Sequence, residues 1–390
     1  MIRLFSAFVL VGLGTFLFQI AGQHPEKAWQ AYLVNFLLWS AVAQGGFLFS
    51  VVLHMTKARW GKPLQAAAES FAAFFPLSFL LFLFLFLGQE HVFPWLKGDA
   101  HGRADWLNLP FLFGRDTAGL ALLYGLGLGY LYNALRLKRS SSEASGGEAS
   151  LPGTRSVPDS KRLEIYKRRT DVFAVLYIMA FAFVLTLLTF DLVMSMQPLW
   201  MSTLFGAYAF VKAFYIGLAA LIALASLIYI SRGNASGLTP PQFHDAGKLL
   251  FAFGLLWADF FYCQLVVIWY GNIPEETSYV IQRTMLLPWN RLAWTVFILS
   301  FVIPFLILIN KQVKTKPRVM IGLCSLVFVG IWLEHLLLVG PALNPKAISL
   351  PLEATDALIT LGFFGLMALA VRFALGRFTD WIPVRQQEVK

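Results

Sequence analysis

A helix needs a run of about 20 apolar residues to cross a bilayer whose hydrocarbon core is about 30 Å thick. Such runs recur ten times along this chain, near residues 4–21, 27–55, 66–88, 115–136, 170–194, 199–230, 243–271, 291–311, 319–340 and 355–376. With 58% hydrophobic residues, 13% charged residues, 37 Phe and 12 Trp in 390 residues, the chain has more apolar surface than a soluble core could hide. The expected fold is an all-α integral membrane protein with ten transmembrane helices. The first run, LFSAFVLVGLGTFLFQIAG, is not followed by a small-residue cleavage site, so it reads as a retained span and not as a removed signal peptide.

Basic residues orient the spans. Lys57, Arg59 and Lys62 fall in one loop. Arg136, Lys138, Arg139, Arg155, Lys161, Arg162, Lys167, Arg168 and Arg169 fall in a second, and Lys311, Lys314, Lys316 and Arg318 in a third. All three lie on one side, which the positive-inside rule makes cytoplasmic, and an even number of spans puts both termini there too. The formal charge of +10 is thus topological and reflects an inner face beside anionic lipid, with no call for nucleic acid.

Residues 137–169 read as a basic cytoplasmic linker between two halves of the chain. Its centre, SSSEASGGEASLPGTRSVPDS (140–160), has nothing to bury and is expected to be disordered. The outer loops KGDAHGRADWLNLPF and YGNIPEETSYVIQRTMLLPWN mix aromatic, proline and acidic residues, which suits packing against another protein as well as an interfacial aromatic belt.

Several cofactor sites are excluded by pattern. Cys263 and Cys324 each sit alone in an apolar run, so the chain has no CxxC or CxxCH motif for an iron-sulfur cluster or a c-type haem. A b-type haem needs two histidines at one depth, and among His54, His244 and His335 no pair is so placed. The glycines of YGLGLGYLY (Gly125, Gly127, Gly129) imitate a dinucleotide loop but lie inside a span, so they read as close helix packing. No metal site is expected.

Ionisable side chains at lipid depth cost about 2.5–3.5 kcal/mol each on insertion scales, so each must face the interior and find partners. Asp191 and Glu334 lie about three and six residues from the outer ends of their spans, with His335 adjoining Glu334 and Arg115 and Asp116 opening the fourth span on the same side. His54 and Glu69 are at the inner side. Lys212 and Asp259 count as deepest, each roughly 18–20 Å below the outer end at ~1.5 Å rise per residue. Tyr208 and Tyr215 flank Lys212 at helical spacing, and Tyr262 flanks Asp259. Two readings stand side by side: satisfied pairs that hold bundles together, or a ladder of proton-exchanging groups in two half-paths. Equal depth on consecutive helices predicts that Lys212 and Asp259 face each other. Asp191 is expected either to pair with Arg115 or to exchange protons with the outer carboxylates.

The stretches HMTKARWGKPLQAAAES (54–70), WLNLPFLFGRD (106–116), FDLVMSMQPLWMSTLFGAY (190–208) and FHDAGKLLFAFGLLWADFFYCQLVVIWYGNIPEETSYVIQR (243–283) resemble the ActF subunits of bacterial alternative complex III, within the NrfD-like, polysulfide-reductase-type family. The resemblance runs in order through most of the first seven spans. It implies two four-helix bundles, spans 2–5 and 6–9, flanked by spans 1 and 10. It also implies a bacterial plasma-membrane respiratory assembly that oxidises quinol, with an ActC-like ten-span subunit, an iron-sulfur subunit and haem c subunits as partners. The quinol-binding member of the family usually carries an HLGRP-like sequence where this chain reads HMTKARWGKP, which favours the ActF type. That type is assigned proton conduction or structural coupling, without a redox cofactor of its own. The alternatives are the quinol-binding NrfD-like subunit itself, or an independent proton-coupled secondary transporter. Transporters often have Pro- or Gly-interrupted spans at matched positions of two halves. Here Pro76 and Pro304 interrupt spans 3 and 8 in non-corresponding surroundings.

Overall fold

The computed structural model describes residues 2–22, 25–97, 102–146 and 157–381. Ten helices among them are long and apolar enough to cross a membrane: span 1 (Ile2–Ala21), span 2 (Pro25–Met55), span 3 (Lys62–Val92), span 4 (Leu109–Ser141), span 5 (Lys161–Met196), span 6 (Leu204–Arg232), span 7 (Pro240–Gly271), span 8 (Trp289–Ile309), span 9 (Pro317–Leu343) and span 10 (Ala354–Arg377). No strand occurs among the described residues, and the chain is an all-α multi-pass membrane protein. Helix starts follow local chemistry. Spans 2, 7 and 9 open on proline, whose missing N–H is no loss in a first turn. Thr239 and Gln242 cap the start of span 7 reciprocally.

Spans 2, 3, 4 and 5 pack as a ring in chain order, and spans 6, 7, 8 and 9 pack as a second ring. Span 1 lies against span 10. The two rings meet where span 2 crosses span 6, and there the backbones touch. A Cβ added to Gly45 would lie 1.8 Å from the Ala213 carbonyl oxygen, and one on Gly217 would lie 2.2 Å from the Gly46 nitrogen. Small residues at a lipid-embedded crossing allow this approach and the dispersion contacts that hold it. Span 2 is consequently buried almost all round and carries buried Asn35, Ser40, Gln44 and Ser50 into the centre of the molecule. Of the three glycines read as a packing motif, Gly127 and Gly129 face the rings of Tyr177 and Phe173, whereas Gly125 faces open space.

Two spans depart from α-geometry next to their prolines. Span 3 tightens to a 3₁₀ turn at Phe71–Phe74 just before Pro76, and span 8 widens to a π-turn at Ile298–Val302 just before Pro304. In both cases the chain adjusts around a residue that cannot donate to the preceding turn.

Several boundaries differ from the sequence expectation. The helix of span 4 runs on to Gly146 and that of span 5 starts at Val157, so 140–146 and 157–160 of the expected linker are helical, and 147–156 lie outside the described residues. The charged ends simply continue the helices into water. Span 6 begins at Leu204 and not near 199, because Trp200–Ser202 after Pro198 are non-helical. Span 9 runs past Pro341 to Leu343.

The outer loop after span 7 folds back over the second ring as an amphipathic helix, Pro274–Thr284. Tyr279 stacks on Trp200 at 3.6 Å, and Arg283 lies over the Tyr279 ring while donating to the Gln197 side chain at 3.0 Å and the Leu338 carbonyl at 2.8 Å. Burial pushes the Arg283 guanidinium below its ordinary pKa and the Tyr279 phenol above its own. At least these two polar residues of the loop serve the fold and not an outside surface.

Candidate functional site

The buried polar groups fall into two sets, one in each ring. In the first ring they form three layers. At the outer layer Arg115 grips Asp191 with two donors, Nε to Oδ2 at 2.6 Å and Nη2 to Oδ1 at 2.5 Å, while Trp106 Nε1 donates to Oδ1 at 3.0 Å. The guanidinium lies against both the Trp106 and the Phe111 ring, which stand edge to face. Of the two expectations for Asp191, the pairing with Arg115 is the one observed. A bidentate arginine fixes the carboxylate in position. Asp116 is different: it is fully buried within side-chain reach of Asp191, and no basic or neutral donor among the described residues reaches either of its oxygens.

The middle layer consists wholly of neutral residues. Ser40 and Ser78 share a hydrogen bond at 2.5 Å, and Tyr124 donates to Ser78 at 2.7 Å. One turn further in, Tyr177 donates to Gln44 Oε1 at 2.8 Å. These five residues come from spans 2, 3, 4 and 5 and sit near the midplane. Sequence reasoning missed them because a lone serine or tyrosine in an apolar run carries no charge to mark it.

At the inner layer Lys138 donates to both oxygens of Glu69, at 2.6 and 2.8 Å, and Ser50 adds a longer contact at 3.3 Å. Tyr130 donates to the Ser50 carbonyl. His54 bonds Asp171 at 2.7 Å and packs edge-on to Tyr130. Lys138, expected in a loop, is helical and reaches back into the ring; Asp171 was not anticipated at all. Phe47 separates the middle and inner layers, in contact with the rings of Phe75, Tyr130 and Tyr177. Phe36, Phe82 and Phe113 lie in a row in the same ring.

In the second ring Glu334 is the hub. It accepts from Lys212 Nζ at 3.0 Å, from the Tyr208 hydroxyl, and from Trp257 Nε1 at 3.1 Å. His335, also buried, places Nδ1 2.8 Å from the Ile331 carbonyl. Tyr215 donates to the Ser300 carbonyl inside the π-turn of span 8. His244 stays at the inner end beside Asp245.

The expected pair of Lys212 with Asp259 is not formed. Asp259 lies on the exposed face of span 7, with the Cys263 thiol 3.8 Å away, and Tyr262 is exposed beside it. Two causes combine. Span 6 starts later than expected, so Lys212 lies only eight residues inside it, about 12 Å at ~1.5 Å per residue. Glu334 lies nine residues inside the lengthened span 9, so these two match in depth. In addition, Trp257 occupies the inward face of span 7, and Asp259, two residues on, is turned about 200° away at ~100° per residue. Among the described residues no cluster of three or more His, Cys, Asp or Glu side chains is gathered in a metal-binding arrangement.

No protein-family model and no curated protein sequence matches this chain.

Proposed function

We propose that the first ring carries protons across the membrane within a quinol-oxidising respiratory assembly of the alternative complex III type, with quinol and the haem c and iron-sulfur chemistry in partner subunits. The observation that carries this reading is the alignment of three polar layers along one ring, with carboxylates at both ends. Asp116 is the outer exchange group, because Asp191 is locked by Arg115 while Asp116 has no fixed donor. Tyr124 and Tyr177 with Ser40, Ser78 and Gln44 relay protons at the midplane, since hydroxyls and amides both donate and accept. Glu69 and His54 with Asp171 face the inner side. Phe47 is the barrier between half-paths, and protons pass when it moves aside.

Glu334 is excluded from this role. Three donors, one of them a lysine, satisfy it, which makes it a fixed anchor of the second ring.

The test is proton translocation by the purified assembly in sealed vesicles. Gln44→Leu combined with Tyr177→Phe should cut quinol-driven proton release at least tenfold while the assembly stays intact. Wild-type release in that variant would remove the relay from the first ring. Purification of the chain without haem c or quinone would remove the respiratory assignment instead. Orientation has its own check. A cysteine replacing exposed Ser141 should be unreactive towards an impermeant maleimide outside intact cells and should react after permeabilisation. Labelling from outside would invert the topology.

A further inference from the structure

Among the described residues, Asp259 is the exposed ionisable group that lies furthest from either end of its span, 12 residues from Gly271 and 19 from Pro240. At ~1.5 Å per residue that is roughly 18 and 28 Å from the two ends. The side chain is too short to reach either interface, in contrast to Arg372, which is five residues from the end of span 10 and long enough to snorkel. No cation among the described residues is paired with Asp259; the Cys263 thiol, a weak donor, lies 3.8 Å from its Oδ1. A carboxyl in this position facing acyl chains would cost about 2.5–3.5 kcal/mol. Glu334, nine residues from the end of span 9, is by contrast buried and paired.

Span 7 is also the least covered of the inner spans. Leu255, Asp259, Tyr262, Trp269 and Tyr270 follow one another at helical spacing along its exposed face. Trp269 and Tyr270 lie at the outer end, where an aromatic belt would put them in any case. Asp259 and Tyr262 lie too deep for that account.

We propose that this face of span 7 docks a transmembrane helix of a different membrane protein, one that presents a Lys, Arg or protonated His at the depth of Asp259. The charge selects the partner. A second copy of this chain, packed by two-fold symmetry on the same face, would bring two Asp259 carboxyls together in lipid, where like charges repel most strongly. A cationic partner side chain neutralises the carboxylate where no water can, and fixes the register of the crossing. The inference rests on the depth and exposure of Asp259 and is independent of proton transfer in the first ring.

The experiment replaces Tyr262 with the photoreactive residue p-benzoylphenylalanine, illuminates the protein in its native membrane, and maps the cross-linked peptide by mass spectrometry. The expected adduct is to one apolar segment of another chain with a basic residue within one helical turn of the cross-link. The same probe at Phe183, exposed on span 5, is the lipid-facing control. Asp259→Lys should lower the Tyr262 adduct at least tenfold, and a reciprocal acidic replacement of the partner's basic residue should restore it. Asp259→Asn, which removes the charge and breaks no ion pair within the chain, should lower it in the same direction with the fold intact. Adducts to lipid alone, to a second copy of this chain, or to a segment without a basic residue would overturn the proposal. So would an adduct yield unchanged by both Asp259→Lys and Asp259→Asn.

Discussion

Lys212→Met should destabilise the protein by about 3–5 kcal/mol, because it leaves Glu334 as a buried charge without its counter-ion. Glu334 is 1% exposed and its oxygens are enclosed by Tyr208, Trp257 and Lys212, so no water can replace the ammonium. Adding Glu334→Gln should recover most of the loss. The amide oxygen in the place of Oε2 still accepts from the Trp257 indole, the amide NH2 in the place of Oε1 donates to the Tyr208 hydroxyl oxygen, and neither charge then remains to be desolvated. Thermal unfolding of the purified protein in detergent or nanodiscs reads this out as a low midpoint for the single variant and a near-native one for the double. A single variant as stable as the double would show that the tyrosine and tryptophan donors suffice without the lysine. Asp259→Asn should leave the midpoint of the isolated chain almost unchanged, since Asp259 forms no ion pair with the described residues. The contrast between two acids of one ring is the sharper part of the result.

Gly45→Val should prevent the two rings from docking. Its Cβ would sit 1.8 Å from the Ala213 carbonyl oxygen, and the obstacle is backbone, which cannot rotate away as a side chain can. Overpacking typically costs 1–3 kcal/mol when side chains can adjust, so a collision of helix backbones should exceed about 3 kcal/mol. The expected outcome is loss of the monodisperse peak in size-exclusion chromatography of the solubilised protein. Gly125→Ala is the matching control, because nothing lies within 4 Å of a Cβ there. It should be neutral or gain roughly 0.5–1 kcal/mol from helix propensity. A monodisperse, stable Gly45→Val protein would mean that spans 2 and 6 do not cross as closely as described.

Reading this chain from sequence worked where one variable sufficed. Apolar length located all ten spans, with ends that differ by up to nine residues, at the start of span 5, because the bilayer demands a minimum length of every crossing. Asp191 and Arg115 could be paired because both sit near the same face on spans of one ring, and each has few other charges in reach. The pairing of Lys212 failed because it needed two further variables. A five-residue error in the start of span 6 moved Lys212 by about 7 Å at ~1.5 Å per residue, enough to align it with the wrong acid. The rotation of span 7 about its axis then decided that Trp257 faces inward and Asp259 outward, and no periodic signal betrayed it, since the span is apolar on every side.

The midplane residues of the first ring were invisible for a related reason. Ser40, Gln44, Ser78, Tyr124 and Tyr177 are unremarkable one at a time, and become a layer only when four helices bring them together. Helical state, the number of crossings and the need for every deep charge to be answered were settled by the sequence alone, because they follow from the solvation of backbone and side chain in lipid, which acts on each segment separately. Which acid answers Lys212, which polar groups share the centre of the first ring, and which acid is left facing outward were settled only by tertiary structure. Those depend on helix rotation and on close backbone approach at Gly45 and Gly217, quantities that belong to pairs of segments and to no segment by itself.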